Sequence, residues 1–236
     1  ISVPETWEQF KETAKLLARS NLKVWIPNNI ATSLEQTSGG VGTINIFPSL
    51  LLQRGLNIYS ENGRATNLTD NEVMLTFGEW TDMYRKLKIP TTMDFYNRFR
   101  TGTCPIGINS YVLYTTLKAA APEIEGLWGV APIPGTVNES GEVSHISAGG
   151  GTACAILKST KSPENSWEFL KWWTSASTQL AFSNEVEAVL GPTGRVAVSN
   201  VETFGNMEWD SDMLDSVLSA WSQVKEVPEY PGSYYL

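Results

Sequence analysis

An α/β fold is predicted by three features of the sequence. Short apolar runs of strand length recur along it. Amphipathic stretches at helical spacing separate them, and capping signals mark the passage from one to the other. The chain has 236 residues, room for one large domain or two small ones.

Thr6 with Gln9 reads as a capping box, and Trp7, Phe10, Ala14 and Leu17 repeat on one helical face. LKVWIP follows as a buried strand. NNIATSLEQTSGGVGT is polar and glycine-rich and reads as a loop, and INIFPSLLLQRG as a helix after Pro48. An Asn-Gly turn lies in YSENGRATNLT. Thr69 and Glu72 read as a second capping box, with Val73, Phe77, Trp80, Tyr84 and Leu87 on one face of the helix behind it. A short helix from Asp94 to Arg100 is expected to end at Gly102. CPIGIN reads as a strand, Ser110 as the cap of the helix in YVLYTTLKAAA, and Leu127 to Pro132 as a further strand. ISAGGGTACAILKS reads as a long strand broken by three glycines. Ser162 and Pro163 open a helix carrying Trp167 and Trp172, another runs from Gln179 to Val189, and the last covers 211 to 224.

Composition removes several function classes. The net charge is −8 and no basic stripe is visible, so nucleic acid is not expected as a partner, and an acidic surface would not attract anionic lipid or anionic polysaccharide. No run approaches the roughly 18 apolar residues of a spanning helix. The single histidine, His145, and two cysteines, Cys104 and Cys154, leave little with which to build a zinc site or a nucleophile–histidine pair. Both cysteines sit in apolar, strand-like contexts and read as buried thiols. No cofactor and no metal are expected. Glu185 and Glu187 are the carboxylates expected to be partly buried; two apart on a helix, they diverge, which favours a structural role over a glycosidase pair.

Aromatic side chains make up 11 % of the chain. Trp7, Trp80, Tyr84, Trp167 and Trp172 lie on helical stripes and read as core. Tyr111 and Tyr114 follow the strand CPIGIN, Asn28 and Asn29 follow VWI, and Tyr230, Tyr234 and Tyr235 sit in the terminal loop. Ligands of open α/β sheets bind beyond the carboxyl ends of strands. Flat apolar rings with planar amides are what sugar recognition needs: faces for pyranose C–H groups and donor–acceptor pairs for hydroxyls.

The order of the segments PETWEQF, GLNIYSENGRATNLTD, FRTGTCPIGINSY, GLWGVAPIPG and ISAGGGTACAILKSTKSPENSWEFLKWWTS resembles that of the family 1 extracellular solute-binding proteins, the maltose-binding-protein-like components of ABC sugar importers. The resemblance covers nearly the whole chain and resides in the ordered series. It implies a type II periplasmic-binding-protein-like fold, mainly the C-terminal lobe. Residues 1–147 would form that lobe, 148–195 the hinge crossing and helices that pack on the N-terminal lobe, and 196–236 the return. A first lobe would precede PETWEQF in a longer chain.

The resemblance further implies a binding protein rather than an enzyme. Its ligand would be a mono- or oligosaccharide held by Asn28, Asn29, Tyr111, Gly150, Tyr234 and Tyr235 in an interlobe cleft. Its partners would be ABC permease subunits. It would be bacterial and extracellular, attached to the cell surface as a lipoprotein is, through an anchor outside this chain. Two other readings remain: a surface carbohydrate-binding or adhesion module without transport, and a glycoside hydrolase or lyase fragment.

Overall fold

A computed structural model describes residues 2–27, 46–149, 153–228 and 230. Helix α1 spans Trp7–Arg19 and opens with the expected capping box: Thr6 accepts from the Gln9 amide, and the Gln9 side chain accepts from the Thr6 amide. It leads into β1, Val24–Trp25. Helix α2, Ile46–Gln53, begins two residues before Pro48, which occupies the first turn where a missing amide hydrogen costs nothing. Helix α3 spans Asn71–Lys86. Its N-cap is Asp70 without a side-chain bond, so the second capping box does not form. Helix α4, Phe95–Arg100, is capped by Asp94, and Gly102 follows at φ 73°, as the sequence predicts.

Strand β2, Ile106–Gly107, precedes α5, Val112–Ala120. Leu127 to Pro132 is irregular rather than extended in a sheet. The strands β3, Thr136–Val137, β4, Val143–Ser144, and β5, Ser147–Ala148, come next. Past the glycines, residues 153–157 are irregular, so of the long crossing strand β5 is what the described residues show. Helices α6, Pro163–Thr174, α7, Ala176–Leu190, α8, Val201–Asn206, and α9, Ser211–Ser222, then lead to β6, Val224–Lys225.

The described strands pair two by two: β1 with β2 parallel, β3 with β4 antiparallel, β5 with β6 parallel. With so little ladder, packing carries the fold. One core gathers α1, β1, α2 and α3 around Trp7, Phe10, Phe47, Leu50 and Trp80. At its centre the Gln53 amide, 5 % exposed, joins four segments. Its oxygen accepts from Trp7 Nε1 at 2.8 Å and from the Thr136 hydroxyl at 2.8 Å, and its nitrogen donates to the carbonyls of Pro134 at 3.1 Å and Ile146 at 3.0 Å. Nearby, Ser49 Oγ accepts from the Ala148 amide.

At the far end of the chain, Tyr230 lies on the Asn-Gly turn. A Cβ on Gly63, itself at φ 64°, would stand 2.2 Å from the Tyr230 ring. The turn glycine thus serves both its backbone angle and the seat of the C-terminal segment.

Two expectations about the core are overturned. Trp167 and Trp172 are each 56 % exposed, and α6 buries no residue at all. Five residues apart, they lie about 140° from one another around the helix and mark no single face, and among the described residues nothing covers either. Cys104 is buried as expected, whereas Cys154 is exposed; both are free thiols. Glu185 is exposed too, while Glu187 is half-buried and holds Arg195.

Candidate functional site

Strands β1 and β2 are parallel, with Trp25 opposite Gly107, so both chains leave the same edge. The Ile108 amide continues the ladder to the Trp25 carbonyl at 3.1 Å. Gly107 is required here because the Phe95 ring lies over it, 2.2 Å from where a Cβ would stand, stacked in turn on Trp25 at 5.4 Å. Beyond this edge come Asn109, Ser110 and Tyr111. Ser110 Oγ accepts weakly from the Val112 amide, which helps open α5.

Tyr111 is half-buried and stands at the head of α5. Two rings meet it at near right angles: Phe204 at 5.6 Å and Trp221 at 5.6 Å, both T-shaped. Phe204 is fully buried and stacks on Trp209 at 4.7 Å. Tyr114 meets Trp128 and Trp209 and is core rather than cleft, so its place beyond β2 does not make it a contact residue. Arg195 closes the cluster. Its guanidinium sits 4.8 Å from the Trp209 ring centroid and forks onto the Glu187 carboxylate at 2.8 and 2.6 Å. Six aromatic rings from α5, α8, α9 and the segments at 128 and 209 thus form one cluster with Tyr111 at its margin.

The Tyr111 hydroxyl makes no hydrogen bond to any described residue, and burial alone pushes its pKa up to about 12. A crevice between α5 and residues 195–197 reaches Tyr111 but has no space for a water molecule. The ring is therefore fixed on one side, and its polar end is uncommitted among the described residues. Because the folded state keeps the phenol neutral while the unfolded chain ionises near 10.0, the stability Tyr111 contributes is intact below pH 10.0 and drains away as pH rises to about 12. Urea-unfolding midpoints should fall across that window, and less steeply in Tyr111→Phe.

Of the residues the sequence singles out, Tyr111 is placed at this edge. Asn28, Asn29, Gly150, Tyr234 and Tyr235 lie outside the described residues. Pro27, which precedes the asparagines, offers its carbonyl to the Tyr84 hydroxyl at 2.7 Å, tying α3 to the same edge. Gly149, which precedes Gly150, donates to the Lys225 carbonyl at 3.0 Å, and its missing Cβ makes room for Val224. The chain thus runs along β5 and, much later, along β6 beside it in the same direction.

Phe204, Trp209, Trp221 and Arg195 escape the sequence reading, since each lies in a different helix or loop and no spacing links them. Among the described residues no group of three or more His, Cys, Asp or Glu side chains is placed to hold a metal, and no helix is long and apolar enough to cross a membrane.

The fold is that of the type II periplasmic-binding-protein-like sugar-binding proteins. The sugar-binding protein MalE of Xanthomonas citri superposes with a TM-score of 0.68 at 16 % identity, over 99 % of this chain and 55 % of its own. Maltose-bound MalE3 of T. maritima superposes with a TM-score of 0.65 at 19 % identity, over 99 % and 57 %. An ABC substrate-binding protein of Listeria monocytogenes in complex with cycloalternan gives 0.56 at 12 % identity, over 100 % and 56 %. The chain therefore spans little more than half the length of these structures. The bacterial extracellular solute-binding protein family model matches residues 1–180, and the chain belongs to that family. No curated protein sequence matches it.

Proposed function

We propose that the chain binds the sugar of an ABC-type importer, with Tyr111 as a wall of the ligand cleft. The observation that carries this reading is the Tyr111 ring, met at near right angles by Phe204 and Trp221 at the carboxyl edge of β1 and β2, with its hydroxyl bonded to none of the described residues. A ring already immobilised loses little entropy when a pyranose stacks on it. Family membership and the maltose and cycloalternan named in two of the similar structures point to the same ligand class. Asn28, Asn29, Gly150, Tyr234 and Tyr235 would complete the site.

In this reading residues 1–147 and 196–236 make one lobe, and 148–195 pack on another. The bare faces of α6 and α7 support that division. Phe169, Trp172, Trp173 and Phe182 touch ring to ring, and all but Trp173 are exposed, an apolar surface of the sort soluble proteins cover. Closure of two lobes over the sugar would present the bound form to permease subunits, outside the cell and held near its surface by an anchor. The crevice that reaches Tyr111 among the described residues is too small for a sugar, so in this reading the second wall would belong to the other lobe.

The test is calorimetric titration of the intact protein carrying this chain with maltose, maltotetraose and cycloalternan. Saturable binding of one class is expected, weakened about tenfold or more in Tyr111→Ala and less in Tyr111→Phe. Unchanged affinity in Tyr111→Ala would remove the residue from the site. Silence toward all sugars would favour the adhesion-module reading.

A further inference from the structure

The carboxyl ends of α1 and α3 border one open groove of about 450 Å³ at the amino end of β1, the end away from Tyr111. Lys15, Arg19, Lys23, Lys86 and Lys88 line it, and among the described residues no acidic side chain does. The sequence shows no basic run because these cations come from three separate segments. Lys15 is held by Glu12 at 2.6 Å and Lys86 by Asp82 at 2.5 Å. Arg19, Lys23 and Lys88 make no ion pair among the described residues.

Helix ends explain part of this charge. Each carboxyl terminus presents about half a negative charge, so two absorb about one cation. About two positive charges remain, on a chain whose net charge is −8. The backbone shows a further oddity. Each helix is followed by a left-handed residue, Asn21 at φ 59° and Lys88 at φ 56°. Asparagine is at ease there, whereas lysine is strained where glycine would be free. The position keeps a lysine side chain at the expense of local comfort.

The floor is apolar: Ala14, Ala18, Leu22, Val24, Leu87 and Ile89. We propose that the groove docks an acidic amphipathic segment of a protein partner, its apolar side chains on this floor and its carboxylates against Arg19, Lys23 and Lys88. The volume suits a few side chains, more than one phosphate group fills, and a phosphate would gain nothing from the floor. An extended anionic surface, membrane or polymer, would meet the repulsion of the acidic remainder of the chain, whereas a compact segment meets the groove alone. Docking here leaves the Tyr111 edge free, so the partner and the ligand need not compete.

The experiment is fluorescence anisotropy of the intact protein carrying this chain with a labelled short helical peptide bearing leucines on one face and glutamates beside them. Saturable binding that weakens with added salt is expected. Reversal of Arg19, Lys23 and Lys88 together to Glu should weaken it about tenfold or more, as should replacing the peptide's glutamates by glutamines. Lys88→Gly separates binding from folding: it should raise the melting temperature while lowering the affinity. The proposal is overturned if the peptide does not saturate, or if the triple reversal leaves its affinity unchanged. It is equally overturned if inorganic polyphosphate or phosphatidylserine vesicles bind the groove while the peptide does not.

Discussion

Gln53→Leu should unfold the first core, lowering stability by about 3–5 kcal/mol. The side chain is 5 % exposed and every hydrogen-bonding capacity of its amide is used. Leucine fills nearly the same space, so the loss is not one of packing. What remains behind is the Trp7 indole N–H and the Pro134 carbonyl, both buried and each costing about 1–3 kcal/mol, and the half-buried Ile146 carbonyl at less. Three elements lose their common anchor at once: α1, the segment entering β3, and the segment entering β5. Chemical denaturation of wild type and variant measures the difference, and a cost under about 1 kcal/mol would mean that water replaces the amide. Gln53→Glu makes the point by charge. Its carboxylate would face two carbonyls, so the folded state favours the protonated form and raises the group's pKa. The variant's stability should therefore be greatest at low pH and fall as pH rises.

Phe204→Ala should cost about 3–5 kcal/mol and also weaken sugar binding in the intact protein, although Phe204 is fully buried. Its ring meets Tyr111, Trp209 and Trp221 at 5.6, 4.7 and 4.6 Å, so it is the hub of the second core and the backstop of the candidate site. Without it Tyr111 regains rotamer freedom that ligand binding must then remove. Near-ultraviolet circular dichroism should report the loosened tryptophans, and calorimetry the loss of affinity. Phe204→Leu, which keeps most of the volume but no flat face, should recover much of the stability and little of the affinity. Full affinity in Phe204→Ala would detach Tyr111's role from the cluster behind it.

Much of this was legible in local sequence because local physics decides it. The Thr6–Gln9 box starts α1, Asp94 caps α4 and Gly102 ends it, since each signal acts within one turn of chain. The ordered segments sufficed for the family, which the match over residues 1–180 bears out. The strands were placed correctly at β1 and β2 but overextended, and Leu127 to Pro132 was misread, because an apolar run becomes a strand only where a partner is in register.

Other features belong to the tertiary structure alone. The aromatic content of α6 suggested core but could not say what covers it, and Trp167 and Trp172 prove to be exposed. The Asp70 cap displaced the expected Thr69–Glu72 box by one residue, a choice made by the approach of the chain. The Gln53 junction, the ring cluster behind Tyr111 and the cationic groove draw on residues far apart in sequence. Sequence by itself determined the local elements, the family and Tyr111 as a site candidate. Which rings clamp it, which amide joins the core and which charges meet were decided only when distant segments packed, since those interactions depend on separations in space that no spacing along the chain encodes.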